Sequence, residues 1–97
     1  MRRSVLELYR RVLRAVPAYS TSARGQNAMR AVLAAELSEA RVSQMVAHEL
    51  IKRALVPARL EKALRADLRR IFRAGAASDD AALLERGRQL LAEMAPD

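Results

Sequence analysis

The sequence predicts an all-α domain of four or five helices. Its 97 residues are rich in Ala, Leu, Arg and Glu, with only three glycines and three prolines, a composition that favours helix. Large apolar residues recur at three- and four-residue spacing along most of the chain, the signature of amphipathic helices. Pro, Gly and Ser fall between these stripes as punctuation. A chain of this length makes one domain, residues 1–97, and buries only about 60–65% of its unfolded surface.

The first helix is expected from about Ser4 to Val16, with Val5, Leu6, Tyr9, Val12, Leu13 and Val16 on its apolar face. Arg3, Arg10 and Arg14 share another face. Pro17 is expected to end the helix, because the residue before a proline avoids the helical region. The segment 18–25 reads as a turn. A second helix should begin between Ser22 and Asn27 and end near Leu37 or Ser38, with a stripe of Met29, Val32, Leu33 and Leu37. A third covers about Arg41 to Leu55, with Val42, Met45, Val46, Leu50 and Ile51 inward; the join near Ser38 is weak, so these two helices are either separate or continuous. Pro57 suits the first turn of a fourth helix running to about Arg73, with Leu60, Leu64, Leu68, Ile71 and Phe72 inward and Gly75 as its cap. Ser78 is the expected cap of a fifth helix, with Asp79 and Asp80 favouring its start. Leu83, Leu84, Leu90, Leu91 and Met94 form its stripe, and Pro96 ends it.

Charge narrows the function. Eighteen basic residues against eleven acidic give +7. Residues 1–35 hold seven arginines and one acid, Glu7, whereas residues 36–97 hold eleven basic and ten acidic residues. The positive field is therefore expected on the first third of the chain, where it would meet an acidic protein, phosphate or nucleic acid. There is no cysteine and one histidine, His48, so disulfides, thiolate sites and multi-histidine metal sites are excluded. No glycine-rich phosphate loop or nucleophile–base constellation is present, and the chain is not expected to be an enzyme. Only Tyr9, Tyr19 and Phe72 are aromatic, too few for a stacking platform. No apolar run is long enough to span a membrane.

The opening VLELYRRVLRAV contains Leu8-Tyr9-Arg10 followed by Leu13-Arg14, or LYRxxLR. On a basic amphipathic helix near the start of a small arginine-rich chain, this resembles the first helix of the LYR-motif family of mitochondrial adaptor proteins. The resemblance implies a three-helix LYR-type bundle over residues 1–56, with residues 57–97 as a C-terminal helical extension. The family phenylalanine on a later helix corresponds either to Leu37, within MRAVLAAEL, or to Phe72, within LRADLRRIFRAG; the Leu37 register is preferred because it needs no insertion.

Family members bind the mitochondrial acyl carrier protein, whose phosphopantetheine-linked acyl chain enters a tunnel between the helices. The resemblance therefore implies contacts to that acidic partner by Arg3, Tyr9, Arg10, Arg14 and Arg30. It implies a tunnel lined by Leu6, Leu13, Val16, Met29, Leu33, Leu37, Val46 and Leu50. No cofactor is expected on the chain itself, the acyl-phosphopantetheine belonging to the partner. A mitochondrial location fits the arginine-rich, acid-poor start. The expected role is accessory subunit or assembly factor of a larger mitochondrial complex, such as a respiratory complex or ATP synthase. The competing reading is a basic helical RNA-binding component of the mitochondrial ribosome, supported by a pI near 11.2.

Overall fold

The computed structural model describes residues 2–75 and 79–95. Its elements are α1 (Arg3–Thr21), α2 (Ala23–Glu39), α3 (Gln44–Ala54), α4 (Pro57–Gly75) and α5 (Asp80–Met94). The fold is all-α with five helices, as the periodicity predicts. The expected cap Ser78 and terminator Pro96 lie outside the described residues. The described cap of α5 is Asp79, whose carboxylate accepts from the Ala81 N–H at 3.0 Å.

Pro17 does not end α1, which continues to Thr21. The ring of Pro17 is exposed, while Val16 and Ser20 on either side are fully buried. The Ser20 hydroxyl donates to the Val16 carbonyl at 2.8 Å. Tertiary burial on the opposite side of the helix outweighs the one backbone bond that proline forfeits. The true break comes at Ser22, extended at φ −73° and ψ 152°. Its hydroxyl caps α2 by accepting from the Gly25 N–H at 3.0 Å.

Helices α2 and α3 are separate. Arg41 takes a left-handed φ of 59°. Its N–H donates to the Ser38 carbonyl, and the Val42 N–H donates to the Leu37 carbonyl, both at 3.0 Å. These are the paired bonds of a Schellman termination, which favours glycine at the left-handed position.

The grouping of the helices differs from the expected three-helix core over 1–56. The buried cluster is Val5, Val12 and Val16 of α1, Leu68 and Phe72 of α4, and Leu83, Leu90 and Met94 of α5. Among the described residues α3 buries none and α2 only Gly25. The physical reason is side-chain size. α2 has five alanines in seventeen residues, so it offers less apolar area per turn than the Leu, Ile and Phe of α4 and α5. α1 takes the partners that bury more, although they are distant in sequence.

Contacts along α1 fix the directions. Arg2 pairs with Asp80 at 2.9 Å, Leu8 packs on Gly87, and Arg24 donates to the Ala95 carbonyl at 3.3 Å. α5 therefore runs parallel to α1. Tyr9 meets Phe72 near the end of α4, with ring centroids 4.8 Å apart, so α4 runs antiparallel to both. The α2–α3 hairpin projects from the end where α1 stops and α4 begins. It stretches the molecule to 46 Å, well beyond the roughly 28 Å that a nineteen-residue helix spans. Gln26 anchors its base, its amide donating to the carbonyls of Ser20 at 2.8 Å and Leu55 at 2.9 Å.

Two predictions follow from this packing. Phe72→Ala should lower unfolding free energy by about 3–5 kcal/mol, whereas Leu50→Ala on the exposed arm should cost well under about 1 kcal/mol; urea denaturation of both variants compares them directly, and an α1–α2–α3 core would reverse the order. Arg41→Gly should raise stability by about 0.5–1 kcal/mol, because it relieves the left-handed side-chain penalty, and the same urea titration reads it.

Candidate functional site: a basic seam between the first and fourth helices

The LYRxxLR segment lies in the middle of α1. Leu8 and Val12 are buried, Tyr9 and Leu13 are half-buried against the core cluster, and Arg10 and Arg14 are exposed. Helical phase separates the two flanks of α1. Leu8 points toward Gly87 of α5, whereas Tyr9 points toward Phe72 of α4. Arg3, Arg10 and Arg14 lie beyond that flank, on the outer face of α1 turned away from the buried valines.

A second row of cations lies on the neighbouring helix. Lys62, Arg65, Arg69 and Arg73 recur on α4 at three- and four-residue spacing. By phase Arg65 lies nearest the core side, while Lys62, Arg69 and Arg73 turn outward; Gly75 packs inward against Leu83 of α5. α4 carries six basic and two acidic residues, a net +4. Acids of these two helices are paired locally. Glu7 pairs with Arg3 at 3.1 Å and Glu61 with Arg65 at 2.9 Å. Arg69, Arg70 and Arg73 also frame an open concavity of about 520 Å³ on the outer side of α4, with Ala66 and Ala74 as its floor.

This second row corrects the expectation that the positive field is confined to residues 1–35. The acids of α5 cancel the charge of α4 in the sequence average, but α5 lies beside the other flank of α1. The three- and four-residue spacing of Lys62, Arg65, Arg69 and Arg73 was the available signal.

The expected contact residues do not all come together. Tyr9 lies in the α1–α4 seam, and Arg3, Arg10 and Arg14 lie together on the outer face of the same helix. Arg30 is on α2, where its guanidinium donates to the Asn27 side chain at 3.2 Å and lines a different groove. That groove, about 420 Å³, is formed by Gln26, Arg30, His48, Ile51, Lys52, Leu55 and Val56. It continues toward the hairpin tip past Ala34, Ser38, Val42, Gln44 and Ala47. Its floor is apolar and its charged liners are all basic.

The expected tunnel residues are divided as well. Val16 is in the core. Leu6 and Leu13 are half-buried on α1, and Met29, Leu33 and Leu37 are half-buried on α2. Val46 and Leu50 are exposed on α3. The hairpin turns away at Ser22, so α1 and the arm do not enclose these eight side chains around one chamber, and none of them lines the grooves described above. Of the two phenylalanine registers, Phe72 touches Tyr9, whereas Leu37 sits near the far end of the arm.

Among the described residues no three His, Cys, Asp or Glu side chains group as metal ligands, and no helix is long and apolar enough to cross a membrane. Because Arg10 and Arg14 are exposed, the double variant Arg10→Glu/Arg14→Glu should change stability by less than about 1 kcal/mol; an unaltered thermal melt would qualify it as a probe of binding alone. The sequence matches no family model, and comparison with curated proteins and with solved structures returned no significant match.

Proposed function

We propose that the chain is a non-catalytic adaptor of the LYR type. In this reading it docks the mitochondrial acyl carrier protein on the α1–α4 seam and serves a larger mitochondrial complex as accessory subunit or assembly factor. The observation that carries the reading is the seam itself. The LYRxxLR segment directs Tyr9 onto Phe72 and leaves Arg10 and Arg14 exposed on the outer face of α1, while the helix it packs against, α4, carries an outward basic row of its own.

The chemistry fits a small acidic partner. The outward basic rows of α1 and α4 offer charge, and the half-buried Tyr9 and Leu13 offer apolar surface on the flank of α1. An acidic amphipathic helix would satisfy both at once. Arginine is suited to the rows because its planar fork binds carboxylate or phosphate through two bonds. Tyr9 brings a hydroxyl to the polar edge of an apolar contact. The contact of Phe72 with Tyr9, with arginines on both sides of Phe72 in sequence, favours the Phe72 register of the resemblance over the Leu37 register. The acyl-phosphopantetheine remains the partner's group; the apolar groove at the base of the arm, rimmed by Arg30 and Lys52, is the surface available to its acyl end.

Co-expression with the mitochondrial acyl carrier protein, followed by intact-mass analysis, should recover a one-to-one complex carrying long-chain acyl phosphopantetheine. Arg10→Glu/Arg14→Glu should abolish it, and Arg69→Glu/Arg73→Glu, reversing the opposite row, should do the same. Affinity should fall steeply with salt, since the rows are exposed. The acylated partner should also raise the thermal midpoint, because each buried methylene adds about 0.8 kcal/mol before ordering costs. An unchanged midpoint, or a complex that tolerates both reversals, would overturn the reading.

A second reading, RNA binding, is favoured by one observation. Arg69, Arg70 and Arg73 form an open shelf on α4 that suits successive backbone phosphates. Its signature would be an affinity for structured RNA whose logarithm falls linearly with the logarithm of salt. That affinity would survive Arg10→Glu/Arg14→Glu and be lost in Arg69→Glu/Arg73→Glu.

A further inference from the structure

The projecting arm is a pair of helices. Two helices cover one line of contact and leave the flanks of their apolar stripes open. That is the state of this arm. Among the described residues α3 buries none and α2 only Gly25, while Leu33 and Leu37 of α2 and Ala47 and Ile51 of α3 are half-buried. One side of the pair is a groove. Its stretch toward the tip is a concavity of about 380 Å³, walled by Arg30, Ala34 and Ser38 of α2 and by Ala47, His48 and Ile51 of α3.

We infer that this groove takes a third helix, an acidic amphipathic segment of a partner protein. Charge carries the inference. Residues 23–56 hold five basic and three acidic residues, and the two signs are segregated. Arg30 and His48 line the groove toward the tip, and Lys52 joins them at the base. Glu36, Glu39 and Glu49 line neither stretch. Among the described residues none of these three basic side chains pairs with an acid; Arg30 donates to the Asn27 side chain. A purely apolar ligand would take water from these groups and give nothing back. A ligand edged with carboxylates supplies their counter-charge as it covers them.

The walls favour a helix as the ligand. Ala34 and Ser38 lie one turn apart on α2 and face the groove with Ala47 of α3. Side chains this small let a third helix approach both walls closely. Arg30, Ser38 and Gln44 set hydrogen-bonding groups at intervals along the groove. A continuous hydrocarbon chain would desolvate them, whereas a helix brings polar edges beside its apolar stripe. The eleven residues of α3 span about 16 Å, room for three turns and for anchors at i, i+3 or i+4, and i+7. This stretch is apart from Leu55 and Val56 at the base, and the inference does not rest on the carrier-protein reading.

Calorimetric titration of the full chain with a synthetic amphipathic peptide of about fifteen residues tests it. The peptide carries leucines along one stripe and glutamates on both edges; a second peptide carries lysines at those edges. The glutamate peptide should bind at least about tenfold more tightly than the lysine peptide. Arg30→Glu/His48→Glu should invert that preference. Ala34→Trp should abolish binding by filling the groove. All three positions are exposed, so circular dichroism should show unchanged helical content. Arg10→Glu/Arg14→Glu and Arg69→Glu/Arg73→Glu should each leave the affinity within about threefold, which separates the groove from the basic rows of α1 and α4. No binding of the glutamate peptide at millimolar concentration would overturn the inference. So would equal binding of the lysine peptide, indifference to Ala34→Trp, or loss of binding in either α1 or α4 variant.

Discussion

The spacing of α1 and α5 depends on one missing side chain. Leu8 is seated against the bare backbone of Gly87. A Cβ there would fall 2.8 Å from the Leu8 Cγ and 3.4 Å from the Phe72 Cζ, well inside the 3.5–4.0 Å at which carbon atoms pack best. Because Leu8 occupies that notch, the next residue, Tyr9, is turned to the other flank of α1 and meets Phe72 of α4. A single close approach between two helices thus orients the third. The arginines that follow Tyr9 are then left on the outer face of α1.

Much of this was legible in the sequence. Five amphipathic stripes gave the helices, Pro57 marked the start of α4, and the inward residues of α4 and α5 were largely named. Pro17 misled because local backbone preference was set against burial that only the folded chain supplies: Val16 and Ser20 gain more inside than proline loses at one bond. The arrangement of helices was illegible for a related reason. Periodicity tells which face of a helix is apolar but not which other face it meets. Area decided between α2 and α4, and the alanines of α2 made it the weaker competitor.

The candidate site was half legible. LYRxxLR placed Tyr9, Arg10 and Arg14 on the helix that carries the seam. The partner row on α4 was hidden by averaging, because Asp79, Asp80, Glu85 and Glu93 follow it in sequence and cancel its charge on paper. In space those acids belong to a helix on the other side of α1. Linear charge sums lose such a row, whereas charge counted per helical face retains it.

The joining of α1 to α4 and α5 across an intervening arm has a consequence for how the chain acquires its structure. Val5, Val12 and Val16 wait for partners that begin some fifty residues later and end at Met94. Contacts so distant in sequence slow the approach to the native state. They also mean that a chain emerging from its amino end cannot complete this core until α5 has been released. The arm, with its own capping bonds at Ser22 and Ser43, lies wholly between those partners. Closure of the core is therefore set by the arrival of α5, and until then the first helix carries its valines without a core to bury them.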